Sequence, residues 1–473
     1  MNARGESCVT TVVRRPHRPR WYVAVVLLAV VPAVSVVGFE VGSGLLRPLA
    51  NPTGSAQTYS VTGPIDTSNP FFQVLGTNGR ACVTCHQATD GWTITPPDVR
   101  ARFEASDGLD PLFRTNDGSN SPDADVSTVD ARREAYSMLL TKGLIRAGIG
   151  IPAGAEFELD AVDDPYGYAS SRELSLFRRV LPATNLPFLS TVMWDGRETF
   201  AGQSIAFDLE DQANGATLGH AQALQPLTQD QKRQILDFEL SNFSAQVFDN
   251  RTGRLGARGG LGGPAVLSGQ QFFIGINDPL GHNPTGAPFS PVIFTIFDAW
   301  QNLPADLAQG DDGRNAARSA VARGETLFNS REIDIRGVNG LNDTLGVEVL
   351  RGKCGTCHDA PNVGDHSVPA PLNIGIADAS RRTPDLPLYT LRNIKTGDTV
   401  QTTDPGRALI TDRWADIGKF KGPILRNLAA RPPYFHNGSA ATLEDVVEFY
   451  NTRFRIGLTP AEKADLVAFL RAL

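Results

Sequence analysis

Four of the five cysteines fall into two frames of one pattern, Cys82-Val83-Thr84-Cys85-His86 and Cys354-Gly355-Thr356-Cys357-His358. Nothing else in the sequence constrains the fold as strongly. Two thiols at this spacing can add to the two vinyl groups of one haem, and a histidine directly after the second thiol meets the iron from the proximal side. The histidine has to follow directly, because the tethered ring lies against its imidazole. A disulfide or a thioredoxin-like redox pair would leave both histidines unexplained, and no βαβ pattern surrounds either frame. A zinc site would need both thiol pairs together, yet they lie about 270 residues apart. The frames are therefore read as two covalently bound c-type haems, one on Cys82, Cys85 and His86, the other on Cys354, Cys357 and His358.

The amino terminus points to export. Residues 1–20 hold Arg4, Arg14, Arg15, Arg18 and Arg20, and Trp21–Phe39 carries no charge. A secretory apolar region is usually ~7–15 residues and a spanning helix ~20, so this run is nearer a span. Arginines before it and Glu40 after it put the start of the chain inside and the rest outside. Residues 1–46 are expected to be a signal or, because no clean A-x-A cleavage site follows, a membrane anchor. The body is then periplasmic or otherwise extracytoplasmic, with membrane contact through this segment alone.

Residues 47–68, rich in Pro, Gly, Ser and Thr, read as a linker. Residues 69–250 are expected to form one haem domain and residues 314–473 another. In the second, Ala320, Val321, Leu327 and Phe328 give a helical pattern before the frame. Thr459-Pro460-Ala461-Glu462 is a capping box with Pro at the first helical position, opening a closing helix. Residues 251–313 read as a Gly/Pro-rich insertion and connection. With 46 Gly and 32 Pro among 473 residues, long loops are expected. The expected fold class is mainly α: two c-type cytochrome haem domains with long loop-rich insertions, after an N-terminal anchor or signal. A net charge of −7 without clustered Lys/Arg argues against nucleic acid as a partner.

Composition also narrows the ligands opposite the proximal histidines. The three methionines are Met1, Met138 and Met193, so the second haem has no methionine in its own domain. Its local candidates are His366, His436, Tyr389, Tyr434 and Tyr450. A tyrosine oxygen is harder than a methionine sulfur and favours ferric and higher oxidation states. Tyr450 falls on a predicted helix opened by Thr442, whose Leu443, Val446, Val447, Tyr450 and Phe454 share one face; the plainer alternative is a core tyrosine. For the first haem, Met138, Met193, His220 and His282 are near in sequence, or the position is open, as peroxide chemistry needs. His220 sits where no apolar periodicity demands it and reads as an acid–base group, a ligand or a surface residue.

The two haem frames stand beside MWDGRE (193–198), LEDQANG (209–215), LRNLAARPPYFHNGSAATLEDVVEFY (425–450) and the closing helix. Together these resemble the bacterial di-haem cytochrome c peroxidase family, including the MauG-type di-haem enzymes. The resemblance implies a peroxidatic haem on His86 and an electron-relaying haem on His358, with Trp194 as the bridge and Gln212 in the distal motif. It places the distal ligand of the second haem fourteen residues after His436, at Tyr450, as in the MauG type. It also implies a calcium site, for which Asn185, Arg431 and Pro433 are the matching positions. One departure bears on activity. The family's acid–base Glu, ten residues after the motif Gln, is here Gln222, which cannot shuttle protons. His220, two residues upstream, carries an imidazole that can accept and release a proton, and is expected to replace it.

The leading expectation is a haem oxidoreductase that reduces hydrogen peroxide, with electrons from a small redox protein or other donor. The alternatives are a non-catalytic di-haem electron carrier and a di-haem oxygenase acting on an organic substrate or partner protein.

Overall fold

Short extended runs, in which buried polar groups interrupt the apolar alternation, build a part of this protein's frame beside its helices. The computed structural model describes residues 44–271, 278–280, 288, 290–305, 312–365 and 371–473. Of these, 33% are helical and 18% lie in strands or bridges, so the expectation of a mainly α fold is corrected to a mixed one. The strands are β1 (Leu49–Asn51), β2 (Gly54–Ser60), β3 (Leu144–Ile149), β4 (Phe157–Asp163), β5 (Leu174–Arg179), β6 (Asn242–Asp249), β7 (Gly253–Arg254), β8 (Ile333–Arg336), β9 (Val349–Gly352), β10 (Leu388–Asn393) and β11 (Thr399–Thr402). They form four sheets, ordered β1-β2-β6-β7, β11-β10-β4, β3-β5 and β8-β9. The stretch expected as a linker contains β1 and β2. The expected first haem domain, residues 69–250, contains β3, β4 and β5.

The physical reason for the difference is visible in β5, Leu174-Ser175-Leu176-Phe177-Arg178-Arg179. Every residue of it is buried, so its polar members carry no outward-facing alternation for a reader of sequence to find. Leu174 and Leu176 join Tyr389, Leu391 and Leu409 in one core. Tyr389 locks that core by donating its hydroxyl to the Ser175 carbonyl at 2.8 Å and accepting from the Ser175 N–H at 2.9 Å.

The expected helices form. Asn315–Ser330 is helical before the second frame. Thr442 caps Leu443–Arg453 and Thr459 caps Pro460–Ala472, each in a reciprocal capping box. The closing helix packs on Asn315–Ser330 at Gly324, where a Cβ would stand 2.1 Å from the Asp465 carbonyl oxygen. Only glycine admits so close an approach. Two further helices, Ile205–Gly219 and Gln229–Ser241, wall the region of the first frame.

The described residues belong to one compact unit, Val37–Leu473. β4 pairs antiparallel with β10, from Leu388 opposite Asp163 to Asn393 opposite Phe157, so the two haem-frame regions share a sheet. Residues 1–43, with Cys8 and the apolar run 21–39, lie outside the described residues, as do His282 and His366. Among the described residues no helix is long and apolar enough to cross a membrane.

Candidate functional site

Both frames adopt the same local geometry. Cys82–Thr84 and Cys354–Thr356 are single 3-10 turns. The threonine common to both frames closes each turn: Thr84 accepts from the Ala81 N–H at 3.0 Å, and Thr356 from the Lys353 N–H at 2.8 Å. The next histidine continues the turn, with the His86 N–H donating to the Cys82 carbonyl and that of His358 to Cys354. Each imidazole is held through Nδ1 by a backbone carbonyl, His86 by Trp92 at 3.0 Å and His358 by Gly364 at 2.8 Å. A carbonyl can only accept, so Nδ1 carries the proton and Nε2 the lone pair. This is the arrangement that orients a metal-ligating histidine. Burial pushes His86 down to about 4, against the pull of the Trp92 carbonyl, and so keeps it neutral, the form that ligates iron.

Burial pushes the thiols of Cys82, Cys354 and Cys357 up to about 12. They are poor thiolates, unlike the activated pair of a redox C-x-x-C.

Each frame opens on an apolar cavity. One, of about 200 Å³, is lined by Cys82, Cys85, His86, Met193, Gln212 and His220, among others. The other, of about 210 Å³, is lined by Cys354, Cys357, His358 and the whole predicted face Leu443, Val446, Val447, Tyr450 and Phe454. Trp194 lines both, with Arg179, Lys421 and Arg431. Its indole N–H donates to the Arg179 carbonyl at 2.8 Å, and its own carbonyl accepts from the Lys421 N–H at 2.9 Å. Sequence reasoning reached Trp194 through the resemblance alone. The structure adds why the motif holds it still: Asp195, fully buried, accepts from Arg178 at the end of β5 at 2.5 Å, and Arg178 also binds Asp404 through two nitrogens. Burial pushes Asp195 up, but Arg178 and Arg197 overcome it and hold the carboxyl down to about 2.

The cations of the shared wall were not anticipated. Burial holds Lys421 down to about 8 and both Arg179 and Arg431 down to about 10. Nε of Arg431 has no hydrogen-bond partner among the described residues. Buried cations with unspent donors suit anions, and haem carries two propionate carboxylates. Thiols, a neutral imidazole, an apolar chamber and this cationic wall are the donor set that a c-type haem requires, so the residues fit it at both frames.

Around the first frame, His220 and Gln212 reach the cavity from the helix Ile205–Gly219 and its end. His220 Nδ1 bonds the Asp117 carboxylate. Gln222, by contrast, is exposed, does not line the cavity, and has a left-handed backbone with φ of 54°. Met193 lines this cavity, while Met138 is buried in a separate core.

Around the second frame, the Tyr450 and His358 ring centroids are 6.3 Å apart. The Tyr450 hydroxyl has no hydrogen-bond partner among the described residues. Burial and the two cysteine thiols push it above its ordinary range. Of the other described candidates, Tyr389 is committed to Ser175 and Tyr434 to the Leu428 carbonyl at 3.0 Å, whereas His436, stacked on Phe420 with centroids 3.9 Å apart, lines the same cavity and neither of its ring nitrogens has a hydrogen-bond partner among the described residues. At the expected calcium positions, Asn185 exchanges both amide hydrogen bonds with the Ser244 backbone at 2.9 Å, and Arg431 donates to the Ile424 carbonyl. Pro433, which follows Pro432 through a cis bond, lines the second cavity. Among the described residues no cluster of three or more His, Cys, Asp or Glu is arranged around a metal ion.

Known proteins are similar to this chain over part of its length. The chain is 36% identical over 140 residues to the cytochrome-c peroxidase IdrP2 of Denitromonas iodatirespirans, covering 27% of this chain and 38% of that one. It is 25% identical over 245 residues to the cytochrome c peroxidase Ccp of Escherichia coli K12, covering 46% and 48%. With the cytochrome c551 peroxidase of Nitrosomonas europaea it is 35% identical over 142 residues, covering 28% and 35%. The chain resembles the bacterial cytochrome c peroxidases. It spans less than half the length of each of these relatives. No family model matches it. A crystal structure of a MauG-like protein associated with microbial copper homeostasis is 17% identical, with a TM-score of 0.38 over 90% of this chain and 93% of that one. Beside the cytochrome c peroxidases, the departure read from the sequence stands out in space: where the resemblance expects an acid–base Glu, the exposed Gln222 sits away from the cavity and His220 faces it.

Proposed function

We propose that this protein is an exported di-haem c-type oxidoreductase that reduces hydrogen peroxide in the His86 cavity with electrons passed from the His358 cavity. The observation that carries the reading is Trp194, which lines both cavities at once. When bound in the two frames, haem supplies the one-electron chemistry and, at an open coordination position, the place where peroxide is reduced. The chain does the rest. His220 accepts a proton from the incoming peroxide and returns it to the oxygen that leaves as water. Gln212 lines the same cavity and orients the peroxide. Trp194, fixed by Arg179, spans the wall that electrons must cross. Tyr450, which lines the cavity of His358, would help hold the second haem through its hydroxyl oxygen. A full turnover consumes one peroxide, two protons and two electrons and yields two waters, the electrons coming from a small redox protein or another donor.

The test is ferric EPR of the purified full chain, together with peroxide consumption in the presence of an artificial electron donor. A high-spin signal and donor-dependent consumption are expected, with a mass exceeding the polypeptide by two haems. Two low-spin haems and no consumption would make the protein an electron carrier.

A further inference from the structure

Asp117 lies within the expected first haem domain, 103 residues before His220, and no motif of the sequence marks it. It is nonetheless the residue that His220 Nδ1 contacts. Asp117 accepts a second hydrogen bond from Arg80 Nη1 at 2.5 Å. Arg80 is held in turn by the Pro111 carbonyl at 2.8 Å and the Leu112 carbonyl at 2.7 Å. Burial alone would push the Asp117 carboxyl up, but His220 and Arg80 overcome it and hold it below its ordinary range. An ionised carboxylate can only accept, so His220 Nδ1 must carry the proton and Nε2 the lone pair.

Exposure separates the members of this chain of contacts. The Arg80 and Asp117 side chains are 4% and 7% exposed, whereas that of His220 is 42% exposed. A rigid buried ion pair therefore holds an imidazole that reaches both water and the cavity. The backbone adds to the grip: Asn78 Nδ2 donates to the His220 carbonyl at 2.7 Å, and Arg80 Nη1 at 3.2 Å. Asn78 and Arg80 immediately precede Cys82, so the segment that delivers the first haem frame also clamps the base.

We infer that Asp117 is a positioning residue which, with Arg80, fixes the tautomer and orientation of His220 so that Nε2 exchanges the proton of a weak acid entering the His86 cavity. This rests on the peroxidase reading and deepens it. The step is a proton transfer: the O–H bond of the entering peroxide breaks, its proton passes to Nε2, and the anion stays in the cavity. No electron moves. Among the described residues Asp117 and Arg80 are the charged groups hydrogen-bonded to His220; His86, Arg197, Glu239, Lys421 and Arg431 are among the other charged or titratable groups that line the same cavity.

The experiment uses the holoprotein and two diatomic ligands. Hydrogen cyanide, like peroxide, must lose a proton to bind ferric haem. Carbon monoxide binds ferrous haem without any proton transfer. Asp117→Asn should slow cyanide binding at the His86 haem by about 10- to 100-fold, in the range of a misoriented or lost acid–base group. His220→Ala should slow it at least as much, and carbon monoxide binding should be unchanged in both. The acid limb of the cyanide rate profile should move to lower pH in Asp117→Asn, because the imidazolium loses its counter-ion, and Asp117→Glu should restore much of the rate. If Asp117→Asn fails to fold because Arg80 is left buried and unpaired, the double variant Arg80→Met/Asp117→Asn removes both charges and should still show slow cyanide and normal carbon monoxide binding. An unchanged cyanide rate, or equal slowing of both ligands, would overturn the inference while leaving the peroxidase reading intact. If the unaltered protein binds neither ligand at this haem, both readings fall.

Discussion

At the level of a single side chain, the proposed function makes Trp194 the bridge. Its indole lies in the wall common to both cavities, and its N–H is spent on a buried carbonyl. Trp194→Phe keeps an aromatic ring but leaves the Arg179 carbonyl without that donor, at a cost of about 1–3 kcal/mol. It also inserts a ring that is harder to oxidise. Both haem spectra should survive, while reoxidation of the His358 haem after a peroxide pulse, followed by stopped-flow absorbance, should slow at least tenfold. An unchanged rate would reduce Trp194 to a packing role. Residues of this kind are unevenly legible. The cysteines and proximal histidines could be read because covalent attachment requires them side by side in the chain. His220 could be noticed as a histidine without a packing reason. Asp117 could not, because the loop that carries it meets His220 only in three dimensions.

Among the elements, the helix Leu443–Arg453 shows what periodicity does reveal. Its N-cap Thr442 and the face Leu443, Val446, Val447, Tyr450 and Phe454, which lines the cavity, follow from spacing, while the capping box that Thr442 makes with Asp445 is added by the structure. The strands did not follow, because β3, β5 and β10 are six residues each. They also bury polar groups such as Arg146, which is matched by Glu173 at 2.8 Å, and so lose the alternation that marks a half-exposed strand. The helix supports a prediction of its own. If Tyr450 supplies an oxygen to the second haem, Tyr450→Phe should abolish that haem's low-spin EPR signal, and Tyr450→Met should raise its potential in a redox titration. A low-spin signal unaffected by Tyr450→Phe would assign the ligand elsewhere, with His366 next to be tested.

Over the whole molecule, stability should depend on buried carboxyls outside the chemistry. Glu325 is 1% exposed. Its Oε2 accepts from the Phe297 N–H at 2.7 Å, while Oε1 has no hydrogen-bond partner among the described residues. Burial pushes it up to about 7, opposed by the Phe297 N–H. The folded state therefore holds a proton that the unfolded chain releases near 4.5. The stabilisation is complete below that pH and is lost as pH rises through about 7, by roughly 3 kcal/mol in all. Urea midpoints should fall between pH 5 and pH 8, and Glu325→Gln should flatten that part of the slope; superimposable profiles would show that Glu325 does not carry it. The sharing of walls has a different consequence. The chamber of His86 is closed by Lys421, Ile424, Arg426, Asn427 and Arg431, and β5 is tied to Asp404 across 226 residues. A chain interrupted before these residues would present the first frame on an open surface, with neither its cationic wall nor its path for electrons. On the proposed function, a fragment that ends between the two frames should therefore behave as an incomplete protein rather than a smaller working one.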